Sequence, residues 1–431
     1  MTRWSNWAGD QTCEPAVIEC PATLGELCEV VARAGAAGRR VRVSGSGHSF
    51  SDCALTDGVM IRLARLTRAI DFDPGSGLFK VEGGIVLHDL NGLLDERGVA
   101  FENLGDIDRQ TLSGAISTGT HGTGERFRSI PAQVAALELV TADGSVVAVD
   151  ESQPDLLRAA RVGLGSLGVV YSVTVRTVPA YTLHRVDSPR PLAETLDAID
   201  ELNAGAEHFE FYVFPHTDVA LCRESRRTGE PRAPRNRAAL YAREVMLENW
   251  VGRLFALAVR RMPARAPQAA RVASRNVGRS TKLDASYRVF ASERRIRFTE
   301  MEYAVPRERG REMVERVLEL AGRPELGVAY PIEVRFVAAD DALLSPTYER
   351  DACYVAVHQD PKLDWKSYFR GVEAIARELD GRPHWGKRYF REAADLEPLY
   401  PRWAEFQAAR ARLDPTGMFA NEYTDRVLGR R

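Results

Sequence analysis

The sequence predicts a mixed α and β fold that is rich in strands and divided into two or three domains. Segments whose apolar residues recur at helical spacing alternate with short strand-like segments in both halves of the chain. A chain of 431 residues is long enough for two or three domains of about 100–200 residues each. Its hydrophobic content of 45% is sufficient for a sizeable buried core. Two segments rich in glycine and hydroxyl residues, 44–49 and 114–124, each contain a histidine. They are the first candidates for a ligand site.

The first predicted helix begins with a capping-box pattern. Thr23 and Glu26 have the required spacing, apolar residues then recur at helical spacing, and Gly35 or Gly38 can end the helix. The other elements predicted in the first 180 residues are strands over residues 40–43, 59–63, 78–84 and 167–179, a helix over residues 86–98, and a hairpin over residues 135–150 with Asp143-Gly144 at its turn.

The middle of the chain is rich in arginine. Residues 223–237 hold six arginines and two prolines without an aromatic residue, which predicts a solvated loop or flexible insertion and not a nucleic-acid surface. Residues 249–263 are apolar but interrupted by arginines. This pattern favours a helix packed between domains over one that lies on a membrane surface. Strand and helix patterns then resume over residues 295–306, 311–322, 330–340, 353–358 and 368–381.

Composition excludes several classes of protein. Lys and Arg number 58 against 60 Asp and Glu, for a net charge of −2, which argues against a nucleic-acid partner. No segment reaches the length of a membrane span, and the first residues lack the apolar core of a secretory signal. The six cysteines form no CxxC pair, so we expect free thiols in the cytoplasm and no metal site.

The glycine-rich segments differ in what they predict. Residues 163–168 match GxGxxG, but a helix pattern precedes them and a strand pattern follows. This order is the reverse of a dinucleotide-binding turn, so we expect a tight helix-to-strand turn there. Residues 40–52 run from a strand into a turn that contains His48, which fits either a surface loop or a nest for phosphate. Together with residues 114–124 they favour an extended, phosphate-bearing cofactor that is held from two sides.

Polar side chains interrupt the strands of the second half. Alternation in residues 331–337 places Glu333 and Arg335 together on one face. Residues 353–359 place His358 on the same face as Tyr354, and residues 382–390 bring Lys387 near His384. The pattern alone fits either an exposed ion pair or the polar wall of a substrate pocket.

Six segments of the sequence resemble the sugar-1,4-lactone oxidoreductases, which belong to the flavoproteins of the vanillyl-alcohol-oxidase type. These segments are residues 45–63, 103–124, 330–336, 343–354, 381–387 and 413–421. The resemblance runs in order along nearly the whole chain. It implies an α+β fold with a two-subdomain FAD-binding domain of the PCMH type over residues 1–180. It also implies an α+β cap domain over an antiparallel sheet, in residues 181–390, and a C-terminal segment, 391–431, that returns to the FAD-binding domain.

The resemblance also implies a cofactor and the residues that hold it. The histidine of this motif, His48 here, is the covalent attachment point for the 8α-methyl group of FAD. The residues that the resemblance assigns to cofactor binding are Val43, Ser44, Gly45, Ser46, Gly47, His48, Ser49, Gly105, Asp106, Thr111, Gly114, Thr118, Gly119, Thr120, His121 and Val170.

The activity implied is oxidation of an aldono-1,4-lactone, resembling L-gulono-1,4-lactone, by hydride transfer from the carbinol carbon to flavin N5. Glu333 and Arg335 would orient the reacting hydroxyl, and Lys387 would polarise it or stabilise the reduced flavin. Asp106 and His358 replace a serine and a threonine that contact substrate in the related alditol oxidases. The alternatives are an alditol or oligosaccharide oxidase and a binding protein that has lost catalysis. Oxygen or a redox carrier would be the electron acceptor, and Gly105 would give oxygen access.

Overall fold

Two antiparallel sheets, one of five and one of eight strands, contain most of the strands in the computed structural model. The structure describes residues 3–232, 260–262, 265–275, 278–292 and 297–430. Its helices pack beside these sheets, so the fold is α+β, as predicted. Within the described residues, no helix is both long enough and apolar enough to cross a membrane.

The part before residue 181 contains twelve strands and four helices. The strands are β1 (Trp4–Ser5), β2 (Thr12–Cys13), β3 (Val17–Glu19), β4 (Val41–Ser44), β5 (Val59–Arg62), β6 (Ala69–Asp73), β7 (Leu78–Glu82), β8 (Val99–Ala100), β9 (Val134–Val140), β10 (Val146–Val149), β11 (Val169–Arg176) and β12 (Val178–Pro179). The helices are α1 (Leu24–Ala36), α2 (Leu87–Glu96), α3 (Leu112–Ser117) and α4 (Pro154–Arg161), with a 3-10 turn at Ile130–Gln133.

These elements form two subdomains. Strands β3, β5 and β4 make a parallel sheet, and β10, β9, β11, β7 and β6 make the five-stranded antiparallel sheet. The N-cap of α1 is Thr23, whose hydroxyl accepts a hydrogen bond from the Glu26 N–H at 3.1 Å. The Glu26 carboxylate accepts from the Ala22 N–H and not from Thr23. The predicted hairpin is confirmed as β9 and β10, and residues 163–168 are the helix-to-strand turn between α4 and β11.

The part from residue 182 to residue 383 contains the eight-stranded sheet, in the order β16-β13-β15-β14-β18-β19-β17-β20. Its strands are β13 (Thr182–Pro191), β14 (His208–Val213), β15 (Val219–Thr228), β16 (Ser280–Ala285), β17 (Thr299–Pro306), β18 (Ile332–Val337), β19 (Ala352–Gln359) and β20 (Arg382–Pro383). Its helices are α5 (Leu192–Asp197), α6 (Ile199–Ala204), α7 (Ala266–Arg275), α8 (Ser286–Phe290), α9 (Gly310–Ala321) and α10 (Trp365–Glu378), with 3-10 turns at Arg307–Arg309 and Pro324–Leu326.

The prediction of a solvated loop over residues 223–237 is wrong for its first six residues. They belong to β15, which is paired along its length with β13 and β14. Arg223 is accommodated in this sheet because the carboxylates of Asp187 and Glu210 lie 3.0 and 2.7 Å from its guanidinium. Residues 233–237 lie outside the described residues, as does most of the helix predicted over residues 249–263.

The C-terminal segment returns to the first strands of the chain. It contains α11 (Ala393–Leu396), a 3-10 turn at Glu397–Leu399, α12 (Trp403–Leu413) and α13 (Glu422–Leu428). The Val41 N–H donates to the Met418 carbonyl at 2.8 Å, and the Asn421 amide donates to the Leu55 carbonyl at 2.9 Å. Phe419 is buried in the same apolar cluster as α1, β4 and β5.

Candidate active site

Two clefts meet at His48. The first runs between β4, α3 and the turn before β11. The second lies between residues 105–107 and 118–121 on one side and the eight-stranded sheet on the other. The predicted cofactor residues that line the first cleft are Val43, Ser44, Gly45, Ser46, Gly47, His48, Ser49, Thr111, Gly114, Thr118 and Val170.

Small residues shape the first cleft. A Cβ at Gly45 would lie 2.3 Å from Thr111 Oγ1, so no side chain fits at this position. The same hydroxyl accepts a hydrogen bond from the Gly114 N–H at 3.3 Å and begins α3. Thr111 therefore connects the two glycine-rich segments, which leave a groove lined by backbone and short hydroxyls. Such a groove fits an extended group with phosphates.

Arg42, which sequence analysis missed, lies in the wall of the first cleft. Its five N–H groups donate to backbone carbonyls, which belong to Cys53, Leu164, Gly165 and Phe419. Burial lowers the pKa of this guanidinium, although it remains a strong base. The cleft thus has a positive charge in its wall, which suits an anionic cofactor. The alternation in residues 40–43 suggests that Arg42 faces solvent. Both faces of β4 are covered, so the pattern did not reveal that this side chain is buried.

His48 lies at the junction of the clefts and stacks on Trp7, with ring centroids 5.6 Å apart. Burial, together with the nearby charges of Lys387 and Arg109, lowers its pKa to about 4. The imidazole is therefore neutral near pH 7 and retains a nitrogen lone pair. A neutral imidazole is the nucleophilic form that a covalent bond to carbon requires.

Arg335 projects into the second cleft and is surrounded by carboxylates. Its Nε lies 3.0 Å from Glu210 Oε2, and its Nη2 lies 3.3 Å from Asp106 Oδ2 and in contact with Glu333. Burial alone would lower the pKa of Arg335, but Glu333, Asp106 and Glu210 raise it well above its ordinary value. Glu333 and Arg335 are 4% and 7% exposed. The interpretation of this pair as an exposed ion pair is therefore wrong, since β18 lies between β14 and β19 with both faces covered.

Strand β14 contributes residues that sequence analysis did not identify. Glu210 joins Arg335 to Arg223, and the Tyr212 hydroxyl donates to Glu333 Oε1 at 2.7 Å. Asp187 on β13 continues this network from Arg223. The alternation in residues 208–213 places Glu210 and Tyr212 on one face. That alternation was the only sequence pattern that could have pointed to Glu210 and Tyr212, but it does not show that β14 pairs with β18.

Lys387 has its own carboxylate partners on β17. Its Nζ lies 2.5 Å from Glu300 Oε2 and 4.0 Å from Glu302 Oε2. Burial alone would lower the pKa of Lys387, but Glu300 and Glu302 raise it. The ammonium group is therefore charged and projects into the second cleft. Sequence analysis missed both glutamates, although the alternation in residues 299–305 places them on one face.

The remaining predicted residues fall into two groups. Gly105, Asp106, Thr120 and His121 line the second cleft. Glu333, His358 and Gly119 line neither cleft. Glu333 instead contacts Arg335, and His358 Nε2 lies 3.5 Å from Glu300. A Cβ at Gly119 would face Pro346 and Val162.

Two groups of side chains have the composition of metal ligands, namely His121, Glu302 and His384, and Glu300, Glu333 and His358. In the first group the Gly386 N–H donates to His384 Nδ1 at 3.0 Å. The neutral ring then has its proton on Nε2, so this nitrogen cannot bind a metal. In the second group Glu300 and Glu333 already contact Lys387 and Arg335. Ion pairing accounts for both groups.

Known families match most of the chain. Residues 173–427 match the D-arabinono-1,4-lactone oxidase family, and residues 15–150 match the FAD binding domain family. The chain is 49% identical to an L-gulono-1,4-lactone dehydrogenase of Mycobacterium tuberculosis, with 99% of each chain covered. It is 35% identical to the L-gulonolactone oxidase of Mus musculus, with 99% of this chain and 98% of the relative covered.

The fold also has a close match among solved structures. The crystal structure of the cholesterol oxidase of B. sterolicum superposes with a TM-score of 0.84 at 14% sequence identity, over 99% of this chain and 96% of that chain. This likeness concerns the fold alone. It confirms the predicted class, a two-subdomain FAD-binding domain with a cap over an antiparallel sheet.

Proposed function

Because this chain belongs to the D-arabinono-1,4-lactone oxidase family, we propose that it oxidises the carbinol group of an aldono-1,4-lactone with FAD as cofactor. The observation that carries the proposal is the junction of the two clefts at His48. The first cleft fits an extended anionic cofactor. The second cleft adjoins the first at His48 and is lined by two cationic side chains, Arg335 and Lys387. A polar, partly closed site beside the cofactor suits a small polyhydroxylated substrate.

The first cleft would hold FAD. The contact between Gly45 and Thr111 leaves room for backbone and phosphate but for no further side chain. Arg42 would supply positive charge near the phosphates, and Val170 would lie toward the end of the cleft remote from His48. When bound, FAD supplies the redox chemistry by accepting a hydride. The protein supplies orientation and electrostatics.

The second cleft would hold the lactone. Arg335 and Lys387 would donate hydrogen bonds to the hydroxyl at the reacting carbon and fix its orientation, and Asp106 would accept one from a neighbouring hydroxyl. The hydroxyl must also lose a proton. Lys387 and Arg335 are charged and cannot accept it, so the base is a carboxylate. Asp106 is the best placed, since it lines the cleft 3.3 Å from Arg335, whereas Glu333 lines neither cleft and would act by holding Arg335. Such acid–base assistance is worth about 10²–10⁴-fold.

We assign the covalent attachment of FAD to His48. Its ring is neutral and lies where the two clefts join. We also assign residues 1–180 and 391–431 to the cofactor domain and residues 181–390 to the cap. All eight strands of the large sheet lie in the cap assignment. The six free thiols suit a cytoplasmic protein. Oxygen or a redox carrier would reoxidise the cofactor.

The proposal is tested by anaerobic bleaching of the purified yellow protein. L-Gulono-, D-arabinono- and L-galactono-1,4-lactone are compared with xylitol and sorbitol, and γ-butyrolactone, which has no hydroxyl, is the control. At least one aldonolactone should bleach the flavin within seconds. Faster bleaching by the alditols would favour an alditol oxidase. If dithionite bleaches the flavin but no lactone or alditol does, the proposed activity is wrong.

A further inference from the structure

Two glutamates on β17 each hold one cationic or proton-bearing group beside the second cleft. Glu300 pairs with Lys387, and Glu302 lies 3.2 Å from His121 Nε2. His121 and Glu302 both line the cleft, and both are buried, at 3% and 5% exposure. The carboxylate of Glu302 has no part in the reaction proposed above, so its close contact with a histidine needs another explanation.

The hydrogen-bonding partners of His121 fix its protons. Nδ1 lies 2.9 Å from the Gly122 carbonyl oxygen, which can only accept, so Nδ1 must carry a proton. Nε2 faces a carboxylate oxygen of Glu302. Two lone pairs at this distance repel each other, so a proton must lie between them. The pair therefore carries one more proton than a neutral histidine and an ionised glutamate would carry together.

The surroundings place that proton on the ring. Burial alone would raise the pKa of Glu302, but His121, followed by Lys387, whose Nζ lies 4.0 Å from Glu302 Oε2, lowers it well below its ordinary value. His384, the second histidine beside Glu302, accepts a hydrogen bond at Nδ1 and is neutral, because burial lowers its pKa to about 3. The flat face of His121 is covered by Tyr354, with ring centroids 3.7 Å apart. Glu302 is thus the carboxylate that His121 Nε2 faces, and Lys387 pairs with Glu300 and lies 4.0 Å from Glu302.

We propose that His121 is an imidazolium ion held by Glu302, and that its positive charge stabilises the negative charge which the bound cofactor gains on reduction. This role deepens the proposed function and rests on it for the position of the cofactor. The substrate would lose a hydride from carbon and a proton from its hydroxyl, the hydride to FAD and the proton to a carboxylate. His121 keeps both of its protons throughout. Glu302 is a positioning residue, because it acts through His121.

The protonation of His121 can be measured without substrate. We would record ¹⁵N spectra of the histidine-labelled holoenzyme at pH 7, in which an imidazolium has two protonated nitrogens and a neutral ring has one. His121→Asn identifies the resonance, and if that variant does not fold, the change in Glu302→Gln does. We expect an imidazolium in the unmodified protein and a neutral ring in Glu302→Gln. Glu300→Gln, which removes the same charge two residues away, should leave the imidazolium intact. A neutral His121 in the unmodified protein, or an imidazolium that persists in Glu302→Gln, overturns the proposal.

The effect on the cofactor is measured by dithionite titration against a redox dye. His121→Asn should lower the ratio of reduced to oxidised FAD at a fixed potential at least tenfold, a shift of about 30 mV for a two-electron couple. His384→Asn, which removes a neutral ring from the same carboxylate, should change the ratio less than twofold. An unchanged ratio in His121→Asn overturns the role of the charge. Because no lactone is present, failure of the lactone activity leaves both measurements interpretable.

Discussion

Glu210 Oε2 lies 3.0 Å from Arg335 Nε, and its other oxygen lies 2.7 Å from Arg223. Arg335 is therefore oriented in part by a carboxylate that lines neither of the two clefts. Burial alone would raise the pKa of Glu210, but Arg335 and Arg223 lower it, so the carboxylate is ionised. Because Glu333 and Asp106 contact Nη2 of the same guanidinium, Arg335 is held at two of its nitrogens and is fixed in direction as well as position.

Glu210→Gln should therefore slow anaerobic flavin reduction about 10²-fold, the effect expected when a reacting group is misplaced by about 1 Å. The bound flavin spectrum should not change, because Glu210 does not line the cofactor cleft. Asp187→Asn is the matched control, since Asp187 contacts Arg223 but not Arg335, and it should have a much smaller effect. Equal losses in the two variants would show that the whole network, and not the orientation of Arg335, sets the rate.

Arg335→Lys should reduce the rate of flavin reduction by about 10²–10⁴-fold while the protein still folds. Lysine keeps the charge that balances Asp106, Glu210 and Glu333 but cannot contact all three. Arg335→Ala would leave buried carboxylates unpaired, at a cost of about 3–5 kcal/mol in the free energy of unfolding, so it is a poor test of mechanism. Stopped-flow reduction and thermal melting measure the two effects separately. An Arg335→Lys variant that reduces flavin at the unmodified rate would remove Arg335 from the mechanism.

His48→Ala should release the flavin on acid denaturation. In the unmodified protein we expect the yellow colour to stay with the precipitated protein, because a bond to the ring nitrogen survives unfolding. In the variant the colour should move to the supernatant. The fold should be retained, since His48 is half-buried and its main neighbour is Trp7. Colour that leaves with the supernatant in the unmodified protein would show that attachment is not covalent.

Gly105→Ala should slow reoxidation of the reduced flavin by oxygen without slowing reduction by the lactone. A Cβ at this position would lie 3.1 Å from the His121 carbonyl oxygen and 3.3 Å from Thr120 Cγ2. Shifts of a few tenths of an ångström would accommodate it, so the variant should fold with a narrower second cleft. Hydrogen peroxide formation measures the effect. If the unmodified reduced protein stays bleached in air but reoxidises with cytochrome c, it is a dehydrogenase and the argument from Gly105 fails.

Two buried histidines should make the protein less stable in mild acid. Burial lowers the pKa of His208 to about 4 and that of His384 to about 3. An unfolded histidine has a pKa of about 6.5, so below that pH the unfolded chain binds protons that the folded protein does not. The stabilisation is complete above pH 6.5 and falls as the pH drops toward 4, by roughly 1–3 kcal/mol for each ring.

Melting temperatures measured from pH 8 to pH 4 check this expectation. His208→Asn should make the melting temperature fall less steeply with decreasing pH, because the variant lacks one of the rings that take up a proton on unfolding. His208 suits this test because it lines neither of the two clefts and stacks on Phe127. Burial alone would raise the pKa of Glu300, but Lys387 is the main cause that lowers it to about 2. Below pH 4.5 the unfolded chain therefore binds a proton that folded Glu300 does not, and the protein loses further stability. A melting temperature that is constant between pH 7 and pH 5 would contradict the prediction.

Local patterns predicted the elements whose signals lie within a few residues. The Thr23 cap, the Asp143-Gly144 turn and the alternation around Glu333 each involve neighbours in sequence, and the structure contains the helix, the hairpin and the strand. The resemblance supplied the other predicted residues of the candidate site, including His48. Neither source predicted Arg42, Glu210 or Glu302.

These three residues share one property. Their roles depend on partners that are distant in sequence. Glu210 and Arg335 are 125 residues apart and meet only because β14 is the neighbour of β18. The loop predicted over residues 223–237 failed for the same reason, because Arg223 is neutralised by strands on both sides. A charged residue in an alternating segment does not reveal which strand will lie beside it.

The position of Arg42 sets an order of assembly. Its guanidinium joins the carbonyls of Cys53, of Leu164 and Gly165, and of Phe419, so the wall of the first cleft is built from three distant parts of the chain. During synthesis on the ribosome the first two parts emerge some 250 residues before the third (separations of 122 and 377 residues from Arg42). Until Phe419 is made, the guanidinium is short of a partner and the wall is open. The wall of the first cleft therefore closes only after Phe419 has been translated and has reached Arg42.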